Sequence, residues 1–368
     1  MSADYLMPGG GASITALPKV SLHDHLDGGL RPQTIIELAD AVGLALPAND
    51  PAQLADWFNE EKDSLVEYLK TFAVTTGVMQ TAEGLTRVAR EFVQDLADDG
   101  VVYGEIRWAP EQHLERGLTL DQTVEAVQEG IEAGIDDVRA SGRSIRIGQL
   151  VSAMRHLDRG PEIAELAVRH RRAGVVGFDI AGPEAGFPPS RMRETFDYLA
   201  AQFLPRTVHA GEADGLESIR SALNDGRALR LGHGVRIAED ITIEREDDEN
   251  SYVTLGAVAQ WVKDREIALE LSPTSNVDTK AFAQWGDDLE DYPFDLLYQL
   301  GFRVTVNTDN RLMSRTSLSR ELSLLAETFG YDLTDLAVFQ LNAAASAFLP
   351  LEDREELADI ITAGFEAA

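Results

Sequence analysis

The stretch Val20-Ser-Leu-His-Asp-His25-Leu-Asp-Gly28 decides how the rest of this 368-residue chain is interpreted. It begins as an apolar, β-like run and ends in two histidines that are separated by one residue. In an extended strand, residues i and i+2 point to the same side, so the imidazoles of His23 and His25 would project together. Histidine nitrogens are common ligands of divalent metal ions. The stretch therefore predicts a strand whose end carries part of a metal site.

Three further segments place chemically useful side chains at the ends of β-like runs: His209-Ala-Gly-Glu212, Gly232-His-Gly234 and Val306-Asn-Thr-Asp309-Asn310. His209 and Asp309 would complete a ligand set of three histidines and one aspartate. Such a set suits Zn²⁺, with Fe²⁺, Co²⁺ and Mn²⁺ as alternatives. Asp309 alone would also fit the N-cap of the following helix, but three histidines placed to meet it favour the ligand interpretation.

Eight β-like runs separated mostly by helical patterns predict the fold class, α/β in the form of a (β/α)8 TIM barrel. An open doubly wound sheet is the rival, but it normally carries a Gly-rich nucleotide loop after the first strand, and Gly28-Gly29 is not one. A barrel gathers all strand ends at one face, which the scattered segments require. The predicted strands are Val20–His25, Val101–Trp108, Ile145–Ala153, Val175–Ala181, Arg206–His209, Leu229–His233, Ile267–Ser272 and Phe302–Asn307.

The barrel is predicted to carry extra helices after strand 1 and at the C-terminus. The region 32–100 is too long for one crossover and holds about three helices by pattern, including Asp63–Met79 and Thr81–Asp98. Leu336–Ala368 adds helix after strand 8. We expect residues 18–368 to form a single (β/α)8 barrel domain, preceded by a short disordered lead-in over residues 1–17. The acidic stretch Glu244–Glu249 is predicted to be a solvated loop or helix face.

The composition of the chain indicates which kinds of binding partner and which cellular compartment to expect. The net charge is −31, from 63 acidic and 32 basic residues, which disfavours nucleic acids and anionic membranes and admits a small neutral or cationic ligand. There are no cysteines, so a metal must be held by histidine and carboxylate. The sequence contains no transmembrane run and no basic signal-peptide region. We expect a cytoplasmic protein without nucleic-acid or membrane partners.

Two residues are candidates for moving protons. Glu212 lies three residues past His209 and would need a raised pKa to act as an acid near neutral pH; as an alternative, it is a helix-start carboxylate. His233, between two glycines, would be another ligand, a group that orients the attacking water, or a packed strand-end residue. Metal and acid together predict metal-assisted hydrolysis, with an amide, an ester or an amidine-type carbon as the target. Of the other histidines, His113 and His156 follow strands 2 and 3, and His170 is predicted to lie on the surface.

Together with Asp179-Ile-Ala-Gly182, the four segments resemble the adenosine deaminase family, in the family's order and over most of the chain. The resemblance implies one Zn²⁺ per chain, bound by His23, His25, His209 and Asp309. It implies that Glu212 protonates N1 of the purine, that His233 polarises the attacking water and that Asp309 helps to orient it. The residues implied to contact substrate are His25, Asp27 at the ribose hydroxyl, Gly182 at purine N3 through its backbone, and Asn310.

The activity implied by the resemblance is zinc-dependent deamination of adenosine and 2′-deoxyadenosine to inosine compounds in purine salvage, with a purine nucleoside as the small-molecule partner. Asp63–Phe72 resembles the family's apolar lid. Asn310 stands where the family usually has a second Asp, so another 6-aminopurine compound, such as adenine or aminodeoxyfutalosine, is the alternative substrate. More remote rivals are a barrel amidohydrolase and a catalytically idle nucleoside-binding protein. Cytidine-deaminase-type enzymes hold zinc with cysteines, which this chain lacks.

Overall fold

The protein is described from a computed structural model over residues 4–60, 65–246 and 251–368. Eight of the ten strands in these residues run parallel, and they form two four-stranded sheets, β1-β2-β3-β4 and β5-β6-β9-β10. The strands are β1 (Lys19–His25), β2 (Val101–Trp108), β3 (Arg146–Met154), β4 (Val175–Ala181), β5 (Thr207–Ala210), β6 (Arg230–His233), β7 (Ile241–Glu246), β8 (Ser251–Leu255), β9 (Ala268–Leu271) and β10 (Val304–Val306).

Two isolated parallel bridges join the sheets into one closed barrel. Phe178 in β4 pairs with Arg206 just before β5, and Asp24 in β1 pairs with Asp309 just after β10. Closure removes both sheet edges. The (β/α)8 barrel predicted from the sequence is therefore confirmed, and the second bridge already brings the end of β1 beside Asp309.

Fifteen helices surround the strands in the described residues. The extra helices predicted after β1 and at the C-terminus are present, as α1–α5 and α14–α15. The helices are α1 (Pro32–Val42), α2 (Pro51–Phe58), α3 (Leu65–Leu69), α4 (Phe72–Val78), α5 (Ala82–Asp98), α6 (Leu120–Ala140), α7 (Gly160–Arg169), α8 (Arg193–Ala201), α9 (Leu216–Asn224), α10 (Ala257–Asp264), α11 (Pro273–Asp278), α12 (Phe294–Gln299), α13 (Leu318–Phe329), α14 (Leu333–Ser346) and α15 (Leu351–Glu366).

The core lies between these helices and the barrel wall. All seven residues of β1 are buried, as expected for strands covered on both faces. Helix α5 buries the stripe that includes Val88, Phe92 and Leu96. It approaches α6 so closely that a Cβ added at Gly130 would lie 2.2 Å from the carbonyl oxygen of Thr86. Glycine is therefore required where these two helices cross.

Three local expectations differ from the structure. Asp63 and Ser64 lie outside the described residues, and the remainder of the predicted helix Asp63–Met79 is divided into α3 and α4 by a turn where the hydroxyl of Thr71 donates to the carbonyl of Tyr68. Side-chain bonds of this kind compete with regular helix bonding. Region 32–100 consequently holds five described helices, compared with about three expected.

The prediction of a disordered lead-in is wrong for residues 4–17. Ile14 and Leu17 are buried in the core, and the buried ammonium of Lys19 donates to the carbonyls of Ile14 and Leu17 at 2.7 and 2.8 Å. Apolar side chains and a buried cation thus hold this segment against the N-terminal end of the barrel.

The prediction for Glu244–Glu249 is wrong in its conformation where it can be compared, although Glu244 is exposed to solvent as expected. Glu244–Glu246 belongs to β7, which pairs antiparallel with β8, and residues 247–249 lie outside the described residues. Isoleucine and threonine at 241–243 favour a strand, and this preference decides the conformation over the acidic residues that follow. Among the described helices, none is both long and apolar enough to cross a membrane.

Candidate metal centre and proton-transfer site

His23, His25, His209 and Asp309 come together at the C-terminal mouth of the barrel. Their ligand atoms all lie within 4.8 Å of one another. Nε2 of His23 is 3.2 Å and Nε2 of His25 is 3.3 Å from Oδ1 of Asp309, while Nε2 of His25 lies 3.3 Å from Nε2 of His209. The four residues that were predicted from the sequence to be ligands therefore converge on a single point.

Carboxylates behind the imidazoles fix how two of these rings face that point. Nδ1 of His23 lies 3.0 Å from Oε2 of Glu270, and Nδ1 of His209 lies 2.7 Å from Oδ2 of Asp179. A carboxylate beside Nδ1 favours the tautomer with its proton on Nδ1, which leaves the Nε2 lone pair free. Although burial alone would lower the pKa of His209, the charge of Asp179 and the hydrogen bond to it raise that pKa.

A buried network of ion pairs holds these carboxylates in place. Arg107 donates to Asp179 at 2.9 Å and to Glu270 at 2.7 Å. Arg230 pairs with Glu270 at 2.6 Å and also with Glu105. Although burial opposes ionisation of Glu270, the charges of Arg107 and Arg230 hold its pKa well below its ordinary value. Both outer carboxylates are thus kept ionised beneath the imidazoles.

The roles of these network residues were not predicted from the sequence, although a signal was present. Arg107, Asp179 and Glu270 are charged residues within otherwise apolar strands, and all three are fully buried. Burying a charge without a partner is costly, so each implies a partner inside the barrel. Which charge meets which imidazole depends on the register of strands far apart in sequence, so the pairing could not be read from the chain.

The donor set fits a divalent cation. With their Nδ1 atoms facing carboxylates, His23 and His209 both present lone pairs on Nε2, and Asp309 presents an acceptor oxygen. Nε2 of His23 is buried without a hydrogen-bond partner in the described part of the chain. Acceptors that converge in this way repel one another unless a proton or a cation lies between them. Three imidazole nitrogens and one carboxylate oxygen suit Zn²⁺, and also Fe²⁺, Co²⁺ or Mn²⁺.

Unusual backbone conformations at two strand ends aim the side chains of His233 and Asp309 into the site. His233 and Asp309 have positive φ angles of 63° and 57°, a region that non-glycine residues rarely adopt and that costs on the order of 1 kcal/mol or more. A Cβ at Gly232 would lie 3.1 Å from Cα of His209 and 3.2 Å from Cε1 of His23. The glycine before His233 thus allows β6 to pack against these rings.

Glu212 and His233, the two candidates for proton transfer, lie beside each other at the site. Nε2 of His233 lies 3.6 Å from Oε2 of Glu212. Burial raises the pKa of Glu212, and the charges of Asp309 and Glu184 raise it further, against the opposing effect of His233. The pKa of Glu212 is therefore shifted in the direction that an acid near neutral pH would need.

Asn276 sets the tautomer of His233. Its Oδ1 accepts from the hydroxyl of Tyr292 at 2.7 Å, so its Nδ2 is the atom that faces Nδ1 of His233, at 2.9 Å. Nδ1 of His233 therefore accepts, and the neutral ring carries its proton on Nε2, on the Glu212 side. One residue earlier, Ser275 donates to Oδ2 of Asp309 at 2.6 Å. Neither Ser275 nor Asn276 was singled out in the sequence.

A cavity of about 190 Å³ opens above these groups and includes every candidate substrate-binding residue. His25, Asp27, Gly182 and Asn310 all line it. Burial raises the pKa of Asp27 to about 7. Gly182 has φ of 98°, and a Cβ there would lie 3.1 Å from Nδ1 of His156, so glycine leaves its backbone accessible.

An apolar wall closes one side of the cavity. Leu65, Tyr68, Leu69 and Phe72 of α3 and α4 line it, within the segment Asp63–Phe72 whose sequence resembles a lid. Asp63 and Ser64 lie outside the described residues. A largely apolar wall with a few convergent polar groups is typical of a small-molecule site.

The remaining histidines lie elsewhere, with one exception. His156 is exposed at the rim and lines the cavity. His113 is buried with its Nδ1 3.0 Å from the carbonyl of Met79 and does not line the cavity. The surface prediction for His170 is wrong, since its ring is mostly buried and Nε2 lies 2.7 Å from Oδ1 of Asp121.

Comparison with known proteins places this geometry in a family. The adenosine deaminase family profile matches residues 18–364. Adenosine deaminase 1 of Streptomyces coelicolor is 53% identical over 96% of this chain and 88% of its own length. The adenosine deaminase of Mycobacteroides abscessus is 52% identical over 96% of both chains.

Solved structures agree on the fold. The adenine deaminase of Arthrobacter aurescens superposes with a TM-score of 0.81 over 95% of this chain and 100% of its own, at 24% identity. An Arabidopsis protein, ADAL, solved with IMP, superposes with a TM-score of 0.80 over 96% of this chain and 98% of its own, at 26% identity. The family profile and the full-length relatives lead to one conclusion: this chain belongs to the adenosine deaminase family of metal-dependent hydrolases.

Proposed function

We propose that this chain catalyses the hydrolytic deamination of adenosine and 2′-deoxyadenosine to inosine compounds and ammonia, a reaction of purine salvage. One observation carries the proposal: a three-histidine, one-aspartate cluster and a carboxyl group of raised pKa, Glu212, face the same cavity. The names of the relatives with about half of their residues identical support it. The expectations of a cytoplasmic location and of a single domain over residues 18–368 are part of this proposal.

The metal in this proposal is one Zn²⁺ per chain, held by His23, His25, His209 and Asp309. The metal would supply a water molecule of lowered pKa as the nucleophile. Glu270 and Asp179 would keep the rings of His23 and His209 oriented, because each lies within 3.0 Å of an Nδ1 atom. Ser275 would hold the second oxygen of Asp309 and so fix the direction of the first.

The protein groups divide the proton transfers between them. Protonated Glu212 donates to N1 of the purine, which makes C6 more electrophilic. His233, with its proton on Nε2, orients and polarises the attacking water, and Asp309 helps to orient it. The water oxygen bonds to C6 and the bond from C6 to the exocyclic nitrogen breaks. One proton of the water completes the leaving ammonia, and the other restores the acid form of Glu212. The sum is adenosine plus water giving inosine plus ammonia.

Substrate orientation is assigned to the cavity walls. Asp27 would accept from a ribose hydroxyl, the backbone of Gly182 would contact purine N3, and His25 would border the reacting end of the purine. Asn310 would donate from its amide to N7, which an ionised aspartate could not do. Leu65 and Phe72 would cover the purine and exclude water from the reaction.

Asn310 also favours a second candidate substrate class, another 6-aminopurine compound such as adenine or aminodeoxyfutalosine. Its neutral amide lies in the cavity and would meet N7 in any of these purines. Discrimination among them would then depend on the sugar side of the cavity, where Asp27 would be one of the polar contacts.

A substrate panel tests the proposal. The Zn²⁺-loaded protein is assayed for ammonia release with adenosine, 2′-deoxyadenosine, adenine, AMP and aminodeoxyfutalosine, and adenosine turnover is followed by its ultraviolet change. The two nucleosides should give the highest kcat/KM. Activity only with adenine or aminodeoxyfutalosine would select the second candidate, and silence across the panel would overturn both.

A variant pair tests the acid. Glu212→Gln should keep the metal and lose activity by about 100-fold or more, the range for general acids. Glu217→Gln, on the exposed first turn of α9, is the matched control and should behave as wild type. Near-normal turnover in Glu212→Gln would remove Glu212 from the mechanism.

A further inference from the structure

Glu184 is a buried carboxylate that has no part in the mechanism proposed above and was not singled out in the sequence. It is only 2% exposed and lies on the loop after β4, two residues past Gly182. A buried charge of this kind requires strong compensation from its surroundings. The groups that donate hydrogen bonds to Glu184 therefore indicate its role.

The compensation comes from one short turn. Glu184 accepts hydrogen bonds from four consecutive backbone N–H groups, those of residues 211–214, at 2.7, 3.1, 2.7 and 3.0 Å. It also accepts from the hydroxyl of Ser218 at 2.5 Å. Gly211 adopts φ of 78°, and consecutive N–H groups that converge in this way form an anion-binding nest. Here the anion is a side chain of the protein itself.

Glu212 is one of the four residues whose N–H groups form this nest. No hydrogen bond to the Glu212 carboxylate is present in the described residues, Oε1 is buried without a partner, and His233 is 3.6 Å away. The position of the Glu212 side chain is therefore set by its backbone, and Glu184 holds the N–H groups of that backbone. The carbonyl of Gly211 accepts separately from the N–H of Arg236 at 3.0 Å. On the other side of the turn, the buried guanidinium of Arg155 donates to the carbonyl of His209 at 2.8 Å.

We propose that Glu184 is a positioning residue for the reaction, whose carboxylate holds the 211–214 turn, and with it Glu212, in the geometry that proton transfer requires. This inference rests on the proposed function. The ionised form of Glu184 suits this role because it accepts every one of these hydrogen bonds. Burial would raise its pKa, but the charge of Arg155 and the hydrogen bonds from Ser218, Gly211 and Asp214 lower it.

The competing explanation is helix capping alone. The turn leads into α9, whose N-cap is Gly215, a residue without a capping side chain, and an anion near this end would stabilise the helix. Capping predicts a loss of stability with kcat maintained in the folded protein. Positioning predicts a loss of kcat that depends on Glu212.

The test is Glu184→Gln in two backgrounds, wild type and Glu212→Gln, on Zn²⁺-loaded protein with adenosine. The amide replaces one acceptor oxygen by a donor that faces N–H groups, so the turn must shift. In the wild-type background kcat should fall by about 10- to 100-fold, since a shift of about 1 Å costs this much, with KM and metal content nearly unchanged. In the Glu212→Gln background the same substitution should cost less than about threefold, because the group that Glu184 positions is already absent.

Glu111→Gln is the matched control. Glu111 is also a buried carboxylate at the barrel mouth that accepts a backbone N–H, from Met154 at 2.6 Å, but it does not contact the 211–214 turn. It should retain kcat within about twofold. Equal losses from Glu184→Gln in both backgrounds, or loss of the metal, would overturn the inference, whereas a wild-type protein inactive on adenosine would overturn the proposed function itself.

Ser218→Ala provides a milder probe if Glu184→Gln does not fold. It removes one donor to Glu184 and leaves the carboxylate in place. A severalfold loss of kcat that disappears in the Glu212→Gln background supports the inference, and an unchanged kcat overturns it.

Discussion

Oδ2 of Asp179 lies 2.7 Å from Nδ1 of His209, and the same oxygen accepts from Arg107 at 2.9 Å. One carboxylate oxygen thus links an imidazole at the barrel mouth to a buried cation inside the barrel. Glu270 makes the equivalent link to His23. The orientation of both rings depends on this shared arginine.

Asp179→Asn should weaken metal binding by about 10- to 100-fold, the usual effect of removing such an outer partner. The measurement is Zn²⁺ affinity by competition with a chromogenic chelator, independent of activity. Asp121→Asn is the matched control, because it alters a histidine–aspartate contact of the same length, at His170 and away from the cavity. Wild-type affinity in Asp179→Asn would contradict the orienting role.

Arg107→Met should lower the free energy of unfolding by about 3–5 kcal/mol, because it removes the buried arginine that pairs with Asp179 and one of the two arginines that pair with Glu270. Urea denaturation of the metal-free protein measures the change. Arg90→Met removes a solvent-exposed ion pair with Asp137 and should leave the midpoint nearly unchanged. A similar small effect at Arg107 would mean that the network can rearrange without it.

Glu212 should make stability depend on pH in the metal-free protein. Its pKa is raised above the ordinary value of 4.5, so the unfolded chain loses this proton at lower pH than the folded chain. Stability is therefore lost as pH rises from 4.5 toward the folded pKa. Glu212→Gln should raise Tm at pH 7, with the gain shrinking to nothing below pH 4.5. If Glu212→Gln raised Tm equally at pH 7 and below pH 4.5, titration of Glu212 would not be the cause of the gain.

The proposed role of Glu212 as an acid predicts an alkaline limb in the pH profile of activity. Glu212 must be protonated to donate to N1, so kcat/KM for adenosine should fall as pH rises through its pKa in the free enzyme. A pH profile of the Zn²⁺-loaded protein measures this. The residual activity of Glu212→Gln should lack that limb.

Asn310 is tested by a double change of protein and substrate. If its amide donates to N7, 7-deazaadenosine should be deaminated about 10- to 100-fold less efficiently than adenosine by the wild type, since a buried polar group loses its partner. Asn310→Ala should lower kcat/KM for adenosine by a similar factor, but should lower kcat/KM for 7-deazaadenosine little further than the wild-type value. If Asn310→Ala lowered kcat/KM by the same factor for both substrates, Asn310 would not face N7.

Much of the site was predictable because its main residues lie at the ends of recognisable strands. The alternation of a strand places His23 and His25 on one side, and barrel closure brings His209 and Asp309 to the same mouth. The predictions of disorder for 4–17 and of a loop or helix for Glu244–Glu246 failed because they rested on composition, whereas packing and β propensity decide the conformation of these segments.

The sequence by itself determined the strand order, the ligand types and the two proton-transfer candidates, because these follow from local periodicity and from residues within a few positions of one another. Only the tertiary structure decided that Glu270 faces His23, that Asp179 faces His209 and that Glu184 holds the turn of Glu212. Such contacts join strands and loops through register, closure and burial, and these are properties of the assembled barrel that no single segment encodes.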